Sequence, residues 1–161
     1  MTWTALEEGA PAIAGAGRRL FGPAGQAIAF LATVRGDGGP RVHPVMPVVT
    51  AGGLYVFVVN LGWKYRDLLR DGRYALHSAP TAEGGEEFYV TGRATEVDDA
   101  PTRSAVRQAT GNRLGSHEFE ALFEFTIDRA LYTHWQGWGT EAAWPAFEKW
   151  AAVPASAGES A

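Results

Sequence analysis

Three strongly apolar segments follow one another within residues 27–59, and only short glycine-rich turns separate them. The segments are Ala27–Arg35, Pro40–Thr50 and Leu54–Val59, and the turns are Gly36-Asp37-Gly38-Gly39 and Ala51-Gly52-Gly53. Asp-Gly and Gly-Gly steps tolerate the positive φ that hairpin turns require. Strands therefore succeed one another without intervening helices, which favours an antiparallel arrangement and argues against a Rossmann fold.

The second apolar segment contains Pro44 and Pro47, and proline has no N–H to donate to a β-ladder. Such a strand is restricted to a sheet edge, to a bulge, or to a place where its backbone faces something other than a neighbouring strand. We therefore expect part of this segment to have an open backbone.

Later residues alternate between helical and strand patterns. In Trp63–Asp71, Tyr65, Leu68 and Leu69 share one helical face, and Gly72 follows as the expected C-cap. The whole pattern predicts a mainly β protein with helices, built on six antiparallel strands in a closed or nearly closed barrel. The other predicted strands are Arg73–Ser78, Glu87–Val97 and Leu122–Gln136, and the other predicted helices are Ala10–Leu20, Asp99–Thr110 and Ala143–Val153.

A chain of 161 residues fits one domain of ordinary size. We divide it into an N-terminal helical segment (1–25), a barrel domain (26–153) and a small polar tail (154–161) that we expect to be disordered. The formal net charge of −4 argues against nucleic acid as a main partner. No signal peptide, membrane-spanning stretch or cysteine is recognisable, so we expect a cytoplasmic protein without disulfides.

A candidate anion site lies where the third strand passes into the helix at Trp63–Asp71. Lys64 and Arg66 lie in the first turn of that helix, whose N-terminal N–H groups favour anions. Arg41 lies on the second strand, which neighbours the third. Guanidinium groups bind phosphate in a bidentate way, and lysine adds a point charge. The alternative is that these cations form the solvated face of a helix and pair with neighbouring aspartates.

Several stretches together resemble the pyridoxamine 5′-phosphate oxidase-like family of flavin-binding split β-barrels. They are the opening strand pair AFLATVRGDGGPRVHPV, the strand GGLYVFVVNLG, the K-x-R-x-L-x-x-D-x-R run at Lys64–Arg73, and the G-x-A at Gly92–Ala94. The resemblance implies a homodimer that binds two FMN molecules between its subunits.

The resemblance also suggests roles for particular residues. Arg41 and Lys64 match the positions that contact the cofactor phosphate, with Arg66 beside them, and Asn60 lies where the third strand reaches the site. Trp135 opens a W-Q-G that resembles the end of the oxidase, where the tryptophan comes from the second subunit. The residues expected to flank the flavin ring are Val42, His43, Pro44 and Val45.

The resemblance ends after Gly137, because the Arg-x-His segment that binds substrate in the oxidase is absent. The expected function is therefore FMN-dependent hydride transfer to or from another small organic substrate, with no assigned catalytic residue. One alternative is a reductase that uses coenzyme F420 on the same fold. Another is a non-catalytic flavin or haem protein, for which His43 or His134 is the candidate axial ligand. No histidine pair has the spacing of a metal site.

Overall fold

The computed structural model describes residues 1–81 and 84–153, so the predicted disordered tail at 154–161 lies outside the described residues. Within this part of the chain there are four helices and eight strands. The helices are α1 (Trp3–Gly9), α2 (Pro11–Leu20), α3 (Trp63–Arg70) and α4 (Ala100–Ala109). The strands are β1 (Ala29–Val34), β2 (Pro40–Val45), β3 (Pro47–Thr50), β4 (Gly53–Val59), β5 (Arg73–Ser78), β6 (Glu86–Glu96), β7 (Glu120–Gln136) and β8 (Trp144–Ala151).

The strands form one antiparallel sheet with the order β2-β1-β5-β6-β7-β4-β3, and β8 pairs with the second half of β7. β2 and β3 lie at opposite ends of this order, yet only Met46 separates them in sequence. Consecutive Cα atoms are about 3.8 Å apart, so the two ends of the sheet must meet at Met46. The sheet is therefore curled, and the line between β2 and β3 is the seam where it stays open.

The prolines explain why this seam lies where it does. Pro44 and Pro47 flank Met46, and the predicted single strand Pro40–Thr50 is in fact two strands, each at one end of the sheet order. The expectation of an edge position with open backbone is confirmed.

The prediction of six strands is wrong for the described residues, because two more strands are present. One comes from the division of Pro40–Thr50, and the other is β8, which replaces the helix predicted over Ala143–Val153. β4 pairs only with residues 120–124 of β7, so the edge of the later part of β7 is left open, and β8 pairs with residues 129–136 of it. That pairing satisfies backbone groups that a helix would leave unpaired.

The N-terminal helices pack into the main core. Trp3 and Phe21 both meet the ring of Phe88 on β6 edge-on, with the Phe21 and Phe88 centroids 5.1 Å apart. Gly17 of α2 lies against the same Phe88 ring, where a Cβ atom would come within 2.4 Å of the ring carbons. Residues 1–25 thus cover one end of the inner face of the sheet. None of the helices in the described ranges is long and apolar enough to cross a membrane.

Helix α3 is rotated relative to the prediction. Its buried residues are Asp67 and Leu68, whereas Leu69 is 53% exposed. Asp71 caps its C-terminus in an extended conformation, so the expected C-cap at Gly72 is wrong. Gly72 is needed for a different reason: its carbonyl accepts a hydrogen bond from the Ala94 N–H, and a Cβ atom would lie 2.6 Å from the Ala94 oxygen.

Candidate functional site

The start of α3 reaches the open edge of β2, and residues of the two elements lie side by side there. Lys64 Nζ lies 3.5 Å from the carbonyl oxygen of Pro44. We call this region the β2–α3 cleft and define it by residues of the two elements. They are Arg41, His43 and Pro44 from β2, and Trp63, Lys64 and Arg66 from α3.

The free edge of β2 presents mainly hydrogen-bond acceptors. Backbone groups alternate in direction along a strand, and the N–H and C=O of one residue point to the same side. The Pro44 carbonyl points to Lys64 and therefore away from β1. Since the direction repeats every second residue, the backbone polar groups of Pro40 and Val42 also point away from β1. Of these three residues, only Val42 has an N–H. This edge therefore presents carbonyl oxygens and one amide donor.

Three basic side chains surround the cleft. The guanidinium carbons of Arg41 and Arg66 lie 5.6 and 5.1 Å from the ring centroid of Trp63. Arg41 pairs with Asp67, whereas Lys64 and Arg66 have no carboxylate partner in the described part of the chain. Burial lowers the pKa of the Lys64 ammonium. The positive charges of Lys64 and Arg66 are thus not offset by a carboxylate among the described residues.

Asp67 lies below the surface and pairs with Arg41, one of these three cations. Its carboxylate is 3% exposed and accepts hydrogen bonds from Arg41 Nε (2.9 Å), Thr33 Oγ1 (3.0 Å) and Arg70 Nη1 (3.3 Å). Burial by itself would raise the pKa of the Asp67 carboxyl, but these donors more than offset it, so the pKa stays below its ordinary value. The group therefore carries its negative charge although it is buried.

The helix itself adds to the positive potential. Gly62 is the N-cap of α3 and has no side chain to accept from the first N–H groups, and the first turn holds no acidic residue. The unsatisfied N–H groups carry a partial positive charge next to Lys64. An anion at this point would meet backbone donors as well as the basic side chains.

His43 is half-buried beside these cations. Burial, and then the charges of Lys64 and Arg41, lower the pKa of its imidazole. Its Nε2 atom is buried and has no hydrogen-bond partner among the described residues. The ring is therefore held neutral at physiological pH, with an unpaired nitrogen.

The remaining predicted residues of β2 and β4 contribute less through their side chains. Val42 is 61% exposed on the outer face of the sheet, and Val45 is buried in the core at 6% exposure, so only their backbones face the seam or β1. Asn60 ends β4, where its N–H donates to the carbonyl of Phe119 (2.8 Å) and its Nδ2 lies 3.5 Å from the carbonyl of Glu118.

Trp135 does not lie at the cleft of its own chain. Successive strand pairings place Arg41, Thr33, Tyr74, Gly92 and Ile127 in one row across the sheet. Trp135 is eight residues beyond Ile127 on β7. At about 3.3 Å per residue, this places it on the order of 26 Å from that row. There it packs edge-on against Trp138, with 5.5 Å between ring centroids, beside a cavity of about 180 Å³ that His77 and Glu87 also line.

Sequence reasoning missed two residues of the site. No pattern in the sequence sets Trp63 apart from the other tryptophans, and Asp67 is only one of the aspartates near the cations of a helix expected to be solvated. The available signal was spacing: Asp67 lies three residues after Lys64 and three before Arg70, and i, i+3 residues share a helix face. Burial of that face by β1 is a tertiary property and cannot be read from the spacing.

No protein-family model matches the chain, and no curated protein matches its sequence. Solved structures do match. A NimC/NimA family protein from Clostridium acetobutylicum superposes with a TM-score of 0.64 at 18% identity, over 91% of this chain and 98% of that one.

Two haem proteins are also similar. A haem-binding protein from Mycobacterium smegmatis has a TM-score of 0.63 at 18% identity, over 84% of this chain but only 57% of that one. HutZ, the haem storage protein of Vibrio cholerae, has a TM-score of 0.54 at 18% identity, over 63% of this chain and 82% of that one. These likenesses concern the fold: the chain is a split barrel of the pyridoxamine 5′-phosphate oxidase-like type.

Proposed function

We propose that this chain binds FMN in the β2–α3 cleft and acts as an FMN-dependent oxidoreductase on a small organic substrate. One observation carries the proposal. Arg41, Lys64 and Arg66 come from two elements to one cleft, and Lys64 and Arg66 lack carboxylate partners in the described ranges. A terminal phosphate dianion matches this charge and these donors.

The residues of the cleft also fit the rest of the cofactor. Arg41, Lys64 and Arg66, together with the first N–H groups of α3, would hold the phosphate. The open edge of β2, with the Val42 N–H and the Pro44 carbonyl, would pair with the polar rim of a flat ring system, and the indole of Trp63, 62% exposed, adds apolar surface. Bound FMN supplies the hydride chemistry, while the chain supplies orientation and exclusion of water.

A second copy of the chain completes the proposed site. Strand alternation puts Phe30, Val42 and Pro44 on the outer face of β1 and β2, with Ile28 and Met46 beside them. The exposed fractions of Ile28, Phe30, Val42 and Met46 are between 40% and 61%. Contiguous exposed apolar residues mark an interaction surface. We propose that this surface forms a homodimer interface and that Trp135 of one subunit reaches the β2–α3 cleft of the other.

The test is titration of the purified apoprotein with FMN, riboflavin and coenzyme F420, followed by flavin fluorescence and gel filtration. We expect FMN to bind more tightly than riboflavin, because only FMN has the phosphate that the cations recognise. Preferential binding of F420 would identify the alternative cofactor. Equal affinity for FMN and riboflavin, or no binding of either, would contradict the proposal.

A specific observation favours haem as a second candidate ligand. His43 is a neutral imidazole whose Nε2 lacks a partner, and the nearby cations suit the two carboxylates of haem. An axial histidine must be neutral to bind iron. Addition of haem should then produce a Soret band that His43→Ala abolishes and that the matched variant His134→Ala retains. A Soret band that survives in His43→Ala would exclude His43 as the axial ligand.

A further inference from the structure

Arg41 is held more firmly than the other cations of the cleft. Its Nε donates to Asp67 Oδ2 at 2.9 Å, and the same oxygen accepts from Thr33 Oγ1 at 3.0 Å. Asp67 Oδ1 is in turn held by Arg70 Nη1 at 3.3 Å. The guanidinium also lies over the Trp63 ring. The buried carboxylate of Asp67 and the ring of Trp63, both on α3, together define the orientation of the Arg41 side chain.

Only one of the donor nitrogens of Arg41 is used in this arrangement. The ion pair runs through Nε, so both terminal Nη groups are left without a carboxylate partner within the described residues, and the side chain remains 27% exposed. Fork-like recognition of phosphate uses parallel N–H groups in a fixed plane. Because Asp67 takes only Nε, it sets that plane without occupying the terminal donors.

We propose that Asp67 is a positioning residue for anion recognition, which holds the Arg41 guanidinium so that its Nη groups meet the phosphate of the ligand. This inference rests on the proposed binding of FMN. Asp67 itself touches no ligand and acts through Arg41. A less ordered Arg41 would have to lose side-chain freedom on binding, and that loss weakens affinity.

The sign of the effect separates positioning from simple charge. A buried carboxylate close to the phosphate repels it, so Coulomb's law alone predicts that Asp67→Asn binds FMN more tightly. Positioning predicts the opposite, because asparagine presents a weaker acceptor to Arg41 Nε and leaves the guanidinium mobile. A variant that removes the charge at nearly constant shape thus distinguishes the two explanations.

The experiment compares the affinities of FMN and riboflavin for the wild-type protein and Asp67→Asn. We expect FMN to bind about tenfold more weakly to the variant, which corresponds to about 1.4 kcal/mol, and riboflavin affinity to be unchanged. Asp71→Asn is the matched control, because Asp71 is a carboxylate that follows the same helix but pairs with Arg73. Unchanged or tighter FMN binding by Asp67→Asn would overturn the inference.

A double-mutant cycle tests whether Asp67 acts through Arg41. In an Arg41→Ala background, Asp67→Asn should cause no further loss of FMN affinity, whereas a general structural defect would still reduce it. If Asp67→Asn does not fold, Thr33→Val removes one donor from the same carboxylate oxygen, and a smaller loss specific to FMN is then expected. Equal losses for FMN and riboflavin would contradict the inference.

A readout on the apoprotein separates this inference from the proposed function. The Nε–Hε signal of Arg41 in an NMR spectrum, assigned with Arg41→Lys, should exchange slowly in the wild-type protein and rapidly in Asp67→Asn. Failure of the wild-type protein to bind FMN would refute the cofactor proposal while the Arg41 signal still reports on positioning. Rapid exchange of that signal in the wild-type protein would refute the positioning role whatever ligand binds.

Discussion

At the residue scale, Lys64 is a partly buried cation without a carboxylate partner among the described residues. Desolvation lowers the pKa of its ammonium, whose one hydrogen-bond partner among the described residues is the carbonyl oxygen of Pro44. Burial of a charge without a counter-charge is unfavourable and is tolerated where function requires it. Binding of the proposed anionic ligand beside Lys64 would relieve that cost.

We predict that Lys64→Ala weakens FMN binding through loss of one charge-assisted contact. Such contacts contribute about 1.5–3 kcal/mol, which corresponds to roughly 10- to 150-fold in Kd. Fluorescence titration at fixed ionic strength measures the change. Lys149→Ala is the matched control, because Lys149 lies on β8 away from the cleft, and it should bind FMN as the wild-type protein does. Equal losses in both variants would show that net charge, and not the cleft, governs binding.

We expect His43 to make the stability of the protein depend on pH. Its folded-state pKa lies below the ordinary value of 6.5, first because of burial and then because of Lys64 and Arg41. As the pH falls through that value, the unfolded chain binds a proton at His43 before the folded chain does, so acidification favours unfolding. The contribution of neutral His43 to stability is therefore present above pH 6.5 and lost on acidification.

We predict that His43→Gln reduces the fall in melting temperature between about pH 7 and pH 5, because glutamine does not titrate. Thermal denaturation across this pH range measures the difference. His117→Gln, at an exposed position, is the control and should follow the wild-type profile. A profile for His43→Gln that is as steep as that of the wild-type protein would contradict the assignment.

At the element scale, β6 depends on a close backbone approach at its centre. The ladder between β6 and β7 shifts register between Thr91 and Gly92, and a Cβ atom at Gly92 would lie 1.8 Å from the carbonyl oxygen of Thr126. Since the clash is with backbone and not with a flexible side chain, the two strands would have to move apart. β6 and β7 are central strands of the sheet, so any separation disturbs the inner core.

We predict that Gly92→Ala lowers the free energy of unfolding by more than about 2 kcal/mol, because overpacking against backbone leaves no room for relaxation. Gly15→Ala is the opposite control. Gly15 lies on the exposed face of α2 with nothing within 4 Å of its Cβ position, and alanine should stabilise that helix by about 0.5–1 kcal/mol. Urea denaturation at one protein concentration measures both effects. Similar stabilities for the two variants would contradict the close approach.

At the scale of the whole molecule, the outer face of the sheet carries the apolar surface at which we propose that two copies of the chain meet. The N-terminal helices pack on the inner face, where Gly17 meets Phe88, while Phe30, Val42 and Pro44 line the outer face of β1 and β2. The cleft opens at the edge of this same pair of strands. A partner seated on the outer face would therefore also border the ligand.

We predict that Phe30→Glu converts a wild-type dimer into a monomer and weakens FMN binding, because a buried charge without a partner is unfavourable at an apolar dimer interface. Analytical ultracentrifugation gives the mass, and fluorescence titration gives the affinity. Leu69→Glu is the matched control, because Leu69 is 53% exposed on α3, outside the proposed dimer interface. This variant should remain dimeric. A monomeric wild-type protein would refute the proposed homodimer.

Much of the fold follows from the sequence because the signals are local. Glycine-rich turns define the β1–β2 and β3–β4 hairpins. In the β1–β2 turn, Asp37 accepts a hydrogen bond from the Gly39 N–H, and Gly38 adopts a positive φ. The Asp99 cap and Pro101 mark the start of α4. Hairpin turns and helix caps depend on neighbours within a few residues, so their chemistry is visible in the sequence.

The grouping of Arg41, Lys64 and Arg66 was also predictable as a hypothesis, because a strand, a short loop and a helix start bring them near one another. The sequence alone determined that the second strand carries Arg41 and that the helix after the third strand begins with two cations, Lys64 and Arg66. The tertiary structure alone decided that Asp67 is buried beneath Arg41, that residues 144–151 form a strand, and that Trp135 lies far from the cleft of its own chain. Each of these depends on pairing with residues distant in sequence, and such pairing is decided by burial and backbone hydrogen bonding in the folded chain.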